Sequence, residues 1–168
     1  MRRISPEEWI LDDCGRSIQP LVPSLSPSNS LSSEQLRESI EEHRSEVEDI
    51  LSDLAYSLEE RGSKHDESKL LDPEWSLLLQ IPASGNYQDS LSRTLKEHWK
   101  HNRHHMEHYS NGIWGMDLLD ILEMLADWAA HARDEGPPLT QIIDEKITDP
   151  LLNQVLRNTV TYNGLDKT

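Results

Sequence analysis

The sequence predicts an all-α fold, and three observations carry that expectation. Apolar residues recur at helical spacing, capping patterns stand ahead of them, and no segment of any length alternates as a half-buried strand does. Ser5-Pro6-Glu7-Glu8 offers a capping Ser, a Pro in the first turn and a Glu at the third position. A short helix is expected there, docked by Trp9, Ile10 and Leu11. Gly15 to Ser33 is rich in Ser, Pro and Leu, with Pro20, Pro23 and Pro27, and reads as an extended arm. Residues 1–33 are thus expected to form an N-terminal short helix plus arm, and residues 34–168 one all-helical domain.

Ser32-Ser33-Glu34-Gln35 is a second capping box, opening a helix to about Arg61, where Gly62 suits the C-cap. Leu36, Ile40, Val47, Ile50, Leu51, Leu54 and Leu58 set its period, and His43 falls in the same stripe. A histidine so placed is either a hydrogen-bonded core residue or a ligand. Leu71 to Gly85 is interrupted by Pro73, Pro82 and Gly85 and is expected to be irregular, with Trp75, Leu77, Leu78 and Leu79 as local packing. A helix from about Ser90 carries a histidine-rich run that Asn111-Gly112 ends or turns. Another begins near Gly115 to Asp117 and continues to Arg133. Its Leu118, Leu119, Ile121, Leu122, Met124, Leu125, Trp128 and Ala129 make it apolar around much of its circumference, as befits a central helix. Two shorter helices are expected at about 139–147 and 150–160.

Composition narrows the function classes. The 168 residues suffice for one domain with a real core, although the absence of Phe leaves that core to Leu and five Trp. A net charge of −15 argues against a nucleic acid polymer as partner, because long-range repulsion slows its approach. A small anion in a metal-lined pocket is still allowed, since an ion dominates its local field. One cysteine, Cys14, excludes an intrachain disulfide and a Cys-rich zinc module and fits a reducing compartment. No apolar run reaches the roughly 18 residues of a membrane span, and the start MRRISPEEW lacks a signal-peptide core. A soluble, cytoplasmic protein is the expectation, and a homodimer is compatible with it.

The chemistry concentrates in His98 to Tyr109, HWKHNRHHMEHY, which holds His98, His101, His104, His105 and His108 among the eight histidines of the chain. Imidazole is the commonest protein ligand for metals. On one continuous helix, His98, His101, His105 and His108 share an arc of roughly 80°, with His104 to one side. A break near Asn102 would instead favour His104. The alternatives to a metal site are a solvated histidine-rich face and a pH-responsive surface. A metal site requires carboxylates from elsewhere. The adjacent His65-Asp66 offers an imidazole and a carboxylate, and a carboxylate bridge is the usual way to hold two cations about 3.5–4 Å apart. Asp120, Glu123 and Asp127 follow at spacings of three and four, so they share a face of the central helix, and His131 extends the row. Acids on such a helix are costly unless paired, ligated or solvated.

The ordering His43, His65-Asp66, the 98–108 histidines and Asp127 resembles the HD-domain superfamily of metal-dependent phosphohydrolases, whose pattern is H…HD…D on an all-helical bundle. His65-Asp66-Glu67-Ser68-Lys69 is similar to its HDxxK form. His104-His105-Met106-Glu107 followed by Asn111-Gly112 is faintly similar to the HHE…DG segment of the cyclic-dinucleotide branch, without its GYP ending. A closer likeness runs from about His43 to Gly164. HRSEVEDIL, HDESKL, NRHHMEHYSNGI and DLLDILEMLADW resemble a small bacterial and phage family known as a domain of unknown function, DUF5662.

The HD resemblance implies an HD-like bundle in which His43, His65, Asp66 and Asp127 bind a first metal. Asp66 then bridges to a second held by two of His98, His104, His105 and His108. The implied cofactor is one or two divalent ions, Fe, Mn, Co or Zn. Lys69 would hold an anionic substrate group, with Arg103 a poorer second. Glu107 or Glu67 would move a proton or orient an imidazole. The leading expectation is hydrolysis of a small phosphate ester, a nucleotide foremost, by water that a metal has acidified from a pKa of about 16 towards 7. Two alternatives stay open. One is an HD-type di-iron oxygenase, since histidine-rich ligation suits iron. The other is a non-catalytic module that binds metal or nucleotide.

Overall fold

A computed structural model describes residues 32–81, 85–133 and 136–165, and the expected helix and arm of residues 1–31 lie outside them. The described residues are all-α. Six helices run α1 Ser33–Lys64, α2 Glu74–Gln80, α3 Tyr87–His101, α4 Leu118–Arg133, α5 Leu139–Lys146 and α6 Pro150–Tyr162. Short 3-10 turns occupy Glu67–Leu70, Met106–His108 and Gly112–Gly115. The chain divides into two compact units, residues 1–51 and 52–168, and the division falls within α1.

In the first unit α1 starts as its capping box dictates. Ser32 Oγ accepts from the Gln35 amide at 3.2 Å, and Gln35 Oε1 accepts from the Ser32 amide at 2.9 Å, so two free N–H groups satisfy each other's residues. None of the α1 residues is buried.

The second unit holds the core. Leu125 and Ala129 of α4, Leu139 and Ile143 of α5, Ile147, and Leu156 and Val160 of α6 form one buried cluster, with Trp128, Ile121 and Met106 packed against it. The central helix inferred from its apolar circumference is α4. Its first turn is locked reciprocally: Asp117 Oδ1 accepts from the Asp120 amide at 2.8 Å, and Asp120 Oδ2 accepts from the Asp117 amide at 3.0 Å. Asp149 caps α6 by accepting from the Leu152 amide at 2.8 Å, with Pro150 in its first turn.

Three local expectations are corrected. Helix α1 does not stop at Gly62 but continues to Lys64, where the second unit's ion pairs hold Arg61. Residues 74–80, expected to be irregular, form α2, because Pro73 serves as its N-cap and Trp75, Leu77 and Leu78 follow without a break. The histidine run is not a single helix. It leaves helical geometry at Asn102, whose Nδ2 donates to the His98 carbonyl at 2.8 Å and thereby satisfies a C-terminal acceptor. The break at Asn102, left open by the sequence, decides which imidazoles can meet.

Candidate metal centre

Asp66 is the pivot. It stands just after α1 with φ at +57°, a left-handed conformation that a residue other than Gly rarely adopts. That turn brings its carboxylate towards His98 of α3 and towards His104. Oδ1 lies 3.2 Å from His98 Nε2 and 3.5 Å from His104 Nε2, while Oδ2 lies 3.6 Å from His65 Nε2 and forms a close ion pair with Lys69. His98 Nε2 and His105 Nε2 are 2.8 Å apart. The donor atoms of Asp66, His98, His104 and His105 all lie within 4.8 Å of one another. Asp127 Oδ1 closes the other side, 3.4 Å from His65 Nε2. His65, Asp66 and Asp127 are therefore brought together, as are three of the histidines from the 98–108 run.

The rings are aimed from behind. Glu74 is buried and accepts from His98 Nδ1 at 2.7 Å, with its other oxygen held by Ser68 Oγ at 2.6 Å. Glu123 Oε1 accepts from His65 Nδ1 at 3.0 Å and meets His104 Nδ1 at 3.1 Å. A carboxylate on Nδ1 fixes the proton there and leaves Nε2 as a lone pair, the arrangement that orients metal-binding imidazoles. Two such lone pairs, those of His98 and His104, then face Asp66 Oδ1, which is repulsive unless a cation lies between them. Two of these atoms, Asp66 Oδ1 and His104 Nε2, are buried and make no hydrogen bond. Buried polar atoms are otherwise satisfied almost without exception. The residues present thus fit a divalent ion.

A second convergent trio, His65, His104 and Glu123, uses the opposite nitrogen of ring 104. One neutral imidazole has one lone pair. The orphaned Nε2 assigns that pair to the Asp66 side and leaves Glu123 as the holder. The electrostatics agree. Burial opposes ionisation of Asp66, but the neighbouring His98 and Lys69 outweigh it and hold the carboxyl far below its usual range. Burial, then the neighbouring His105 and His65, push His104 down to about 4, and burial with His98 lowers His105. Burial works against a proton on His65 too, yet its bond to Glu123 and the charges of Asp66 and Asp127 raise it.

Beside the centre, Asp120 is fully buried. Arg103 donates to its two oxygens at 3.1 and 3.0 Å, Tyr109 Oη donates at 2.6 Å, and Arg61 makes a close ion pair. Arg61 Nε also donates to Glu123 Oε2 at 2.9 Å, so the anchor reaches the carboxylate that holds His65 and His104. Gly115 permits the Tyr109 contact, since a Cβ there would come within 2.7 Å of the Tyr109 Cβ.

The remaining sequence candidates lie elsewhere. His43 is exposed in the first unit and belongs to neither group. His108 Nδ1 donates to the Trp99 carbonyl at 2.7 Å, and His101 is exposed against Glu97 at 3.2 Å. The end of α3 breaks the helical arc that grouped His108 with His98, whereas His101 stays on α3 but turns to solvent. Glu107 is exposed but lines a cavity of about 370 Å³ that opens on His104, His105 and Asp127, with Trp128 and Lys146 across from them. Lys69 does not line it; its charge is spent on Asp66. Glu74, Glu123, Arg61 and Asp120 were not assigned roles from sequence. For Glu123 and Asp120 the signal was the acidic row on α4. For Glu74 and Arg61 nothing local distinguishes them from ordinary terminal helix charges.

No helix among the described residues is long and apolar enough to cross a membrane. No curated protein and no solved structure is detectably similar to the chain. One family is: residues 32–161 match DUF5662, a family of unknown function, and the chain belongs to it.

Proposed function

We propose that this protein is a metal-dependent phosphohydrolase of HD-like type acting on a small phosphate ester, with a nucleotide the leading substrate class. The observation that carries the reading is the pair of orphaned buried atoms, Asp66 Oδ1 and His104 Nε2, set among the Nε2 atoms of His98 and His105. Those four residues would hold one divalent ion. His65, Asp127 and the second oxygen of Asp66 would hold another. A bound divalent ion supplies Lewis-acid polarisation of a phosphoryl oxygen and acidifies water to a pKa near 7.

The protein's own contribution is positional. Glu74 and Glu123 keep Nε2 of the rings turned inward, so little reorganisation is needed when charge develops at the phosphoryl group. The cavity of about 370 Å³ offers Trp128 as a flat apolar wall and Lys146 as a cation, placed 5.7 Å over the Trp128 ring. We assign the anionic-group contact to Lys146 in place of Lys69, which neutralises Asp66. Glu107, on the same cavity, is the carboxyl available to hand a proton to the leaving group.

Elemental analysis of protein purified without an affinity tag, followed by phosphate release from a nucleotide panel with added Mn²⁺, Co²⁺ or Fe²⁺, tests the reading. One or two ions per chain and hydrolysis that disappears in Asp66→Ala are expected. Hydrolysis unchanged in that variant would remove this site from the reaction.

A further inference from the structure

Lys69 does not line the cavity, and an ammonium group cannot ligate a metal. Its surroundings point to a third role. Glu67–Leu70 is a 3-10 turn capped by Asp66, and the Lys69 amide donates to the Asp66 carbonyl at 2.9 Å. Side chains three residues apart eclipse each other in that geometry, so the backbone itself stacks the ammonium on the carboxylate. The turn is tied to α2 and to the end of α3, because Ser68 Oγ donates to Glu74 at 2.6 Å and accepts from Asn102 Nδ2 at 2.7 Å. Lys69 Nζ accordingly makes its close ion pair with Asp66 Oδ2, the oxygen that a second metal would need.

The two oxygens of Asp66 thus differ in state. Oδ1 is orphaned and belongs with His98, His104 and His105, whereas Oδ2 already has a cation. Asp127, the other carboxylate of the second position, belongs to neither convergent group of donors. A carboxylate that bridges two ions must give one oxygen to each. We infer that Lys69 is the built-in second cation of this centre: one divalent ion loads into the imidazole site, and another enters beside it only by displacing the Lys69 ammonium from Asp66. The Lys69 side chain is 42% exposed, which gives a displaced ammonium a path to water. Lys69 is therefore a positioning residue that sets the number of ions, and two-ion loading is expected only in metal excess. The inference rests on the metal reading of the site and not on hydrolysis.

Titration of the full chain with Mn²⁺, followed by electron paramagnetic resonance, tests it, since the sharp signal of free Mn²⁺ is lost on binding. The native chain should take up one ion, with a second held about tenfold more weakly or worse because it meets a resident positive charge. Lys69→Met should tighten the second ion by about tenfold or more, the effect of removing that charge from a partly solvated site. Its spectrum should then show two spin-coupled ions, as a shared Asp66 would hold them about 3.5–4 Å apart. Lys69→Arg, which keeps the charge, should keep the native pattern. So should Lys64→Met, which removes an ammonium paired with Glu60 instead. Two ions of equal affinity in the native chain, a second ion no tighter in Lys69→Met, or one that is magnetically isolated would each overturn the proposal and leave the metal centre in place. Uptake of no ion by any of these chains would remove the metal centre and the proposal together.

Discussion

Asp66 and Asp120 are both ionised carboxylates set into the second unit, yet their surroundings are opposite. Asp120 is completely buried and completely satisfied, with two arginines, a tyrosine hydroxyl and a backbone amide on its two oxygens. Asp66 is less buried and less satisfied. One of its oxygens has no hydrogen-bond donor and looks onto imidazole nitrogens whose protons are held on the far side of the ring. A carboxylate of the first kind ties elements together, whereas one of the second kind is a place for a cation. Burial alone does not tell the two apart. The count of donors does.

The strongest way to break the comparison is to exchange the two roles. Asp66→Asn, which keeps the shape and tolerates the left-handed backbone, should lower metal affinity by about a hundredfold or more, beyond what removal of an orienting partner costs. Metal-free stability should fall by less than in Asp120→Asn, because the close ion partner that is lost, Lys69, is partly solvated. Asp120→Asn should behave in reverse. It strands two partly solvated guanidinium groups against a buried neutral amide, which should cost about 1–3 kcal/mol in urea denaturation. Equal stability losses in the two variants would show that the contrast is not real.

Acid sharpens the same contrast. Burial opposes ionisation of Asp120, but donors from Arg103, Tyr109, the Asp117 amide and Arg61 outweigh it and hold the folded carboxyl well below its ordinary value. Its stabilisation is therefore present above an unfolded pKa of about 3.9 and is lost as the pH falls from there through the lower folded value. The urea midpoint of the native chain should drop towards that of Asp120→Asn below about pH 4, while the gap stays constant between pH 5 and 7. The Tyr109 phenol, pushed up to about 12 by burial and then by its bond to Asp120, should not titrate in the ordinary alkaline range, as ultraviolet difference spectra would show.

Smaller effects belong to the groups behind the rings. Glu74→Gln or Glu123→Gln should weaken metal binding by about 10- to 100-fold, measured by competition with a chromophoric chelator, without abolishing it. His101→Ala and His108→Ala should leave metal content unchanged, because neither ring faces the centre.

What could be read in advance follows from how local each determinant is. The capping box at Ser32 and Gln35 and the apolar circumference of α4 are encoded within a few residues, and both elements form where expected. His65-Asp66 and Asp127 were legible as residue types at suggestive positions. Their approach to each other depends on the left-handed turn at Asp66, which no neighbouring glycine announces. The histidine run was ambiguous for a specific reason: Asn102 is compatible with a helix interior until its side chain finds the His98 carbonyl and Ser68. Glu74 and Arg61 act across sequence separations of 24 and 59 residues, and no period or motif links such pairs.

The backbone at Asp66 has a consequence for laboratory evolution. Glycine relieves a left-handed residue of its side-chain clash, and asparagine tolerates the conformation well. A randomised library at this codon, sorted for heat resistance alone, should drift to Gly or Asn. The same library sorted for retention of a cation should return to Asp, because chain comfort and ligand chemistry ask for different residues at one position.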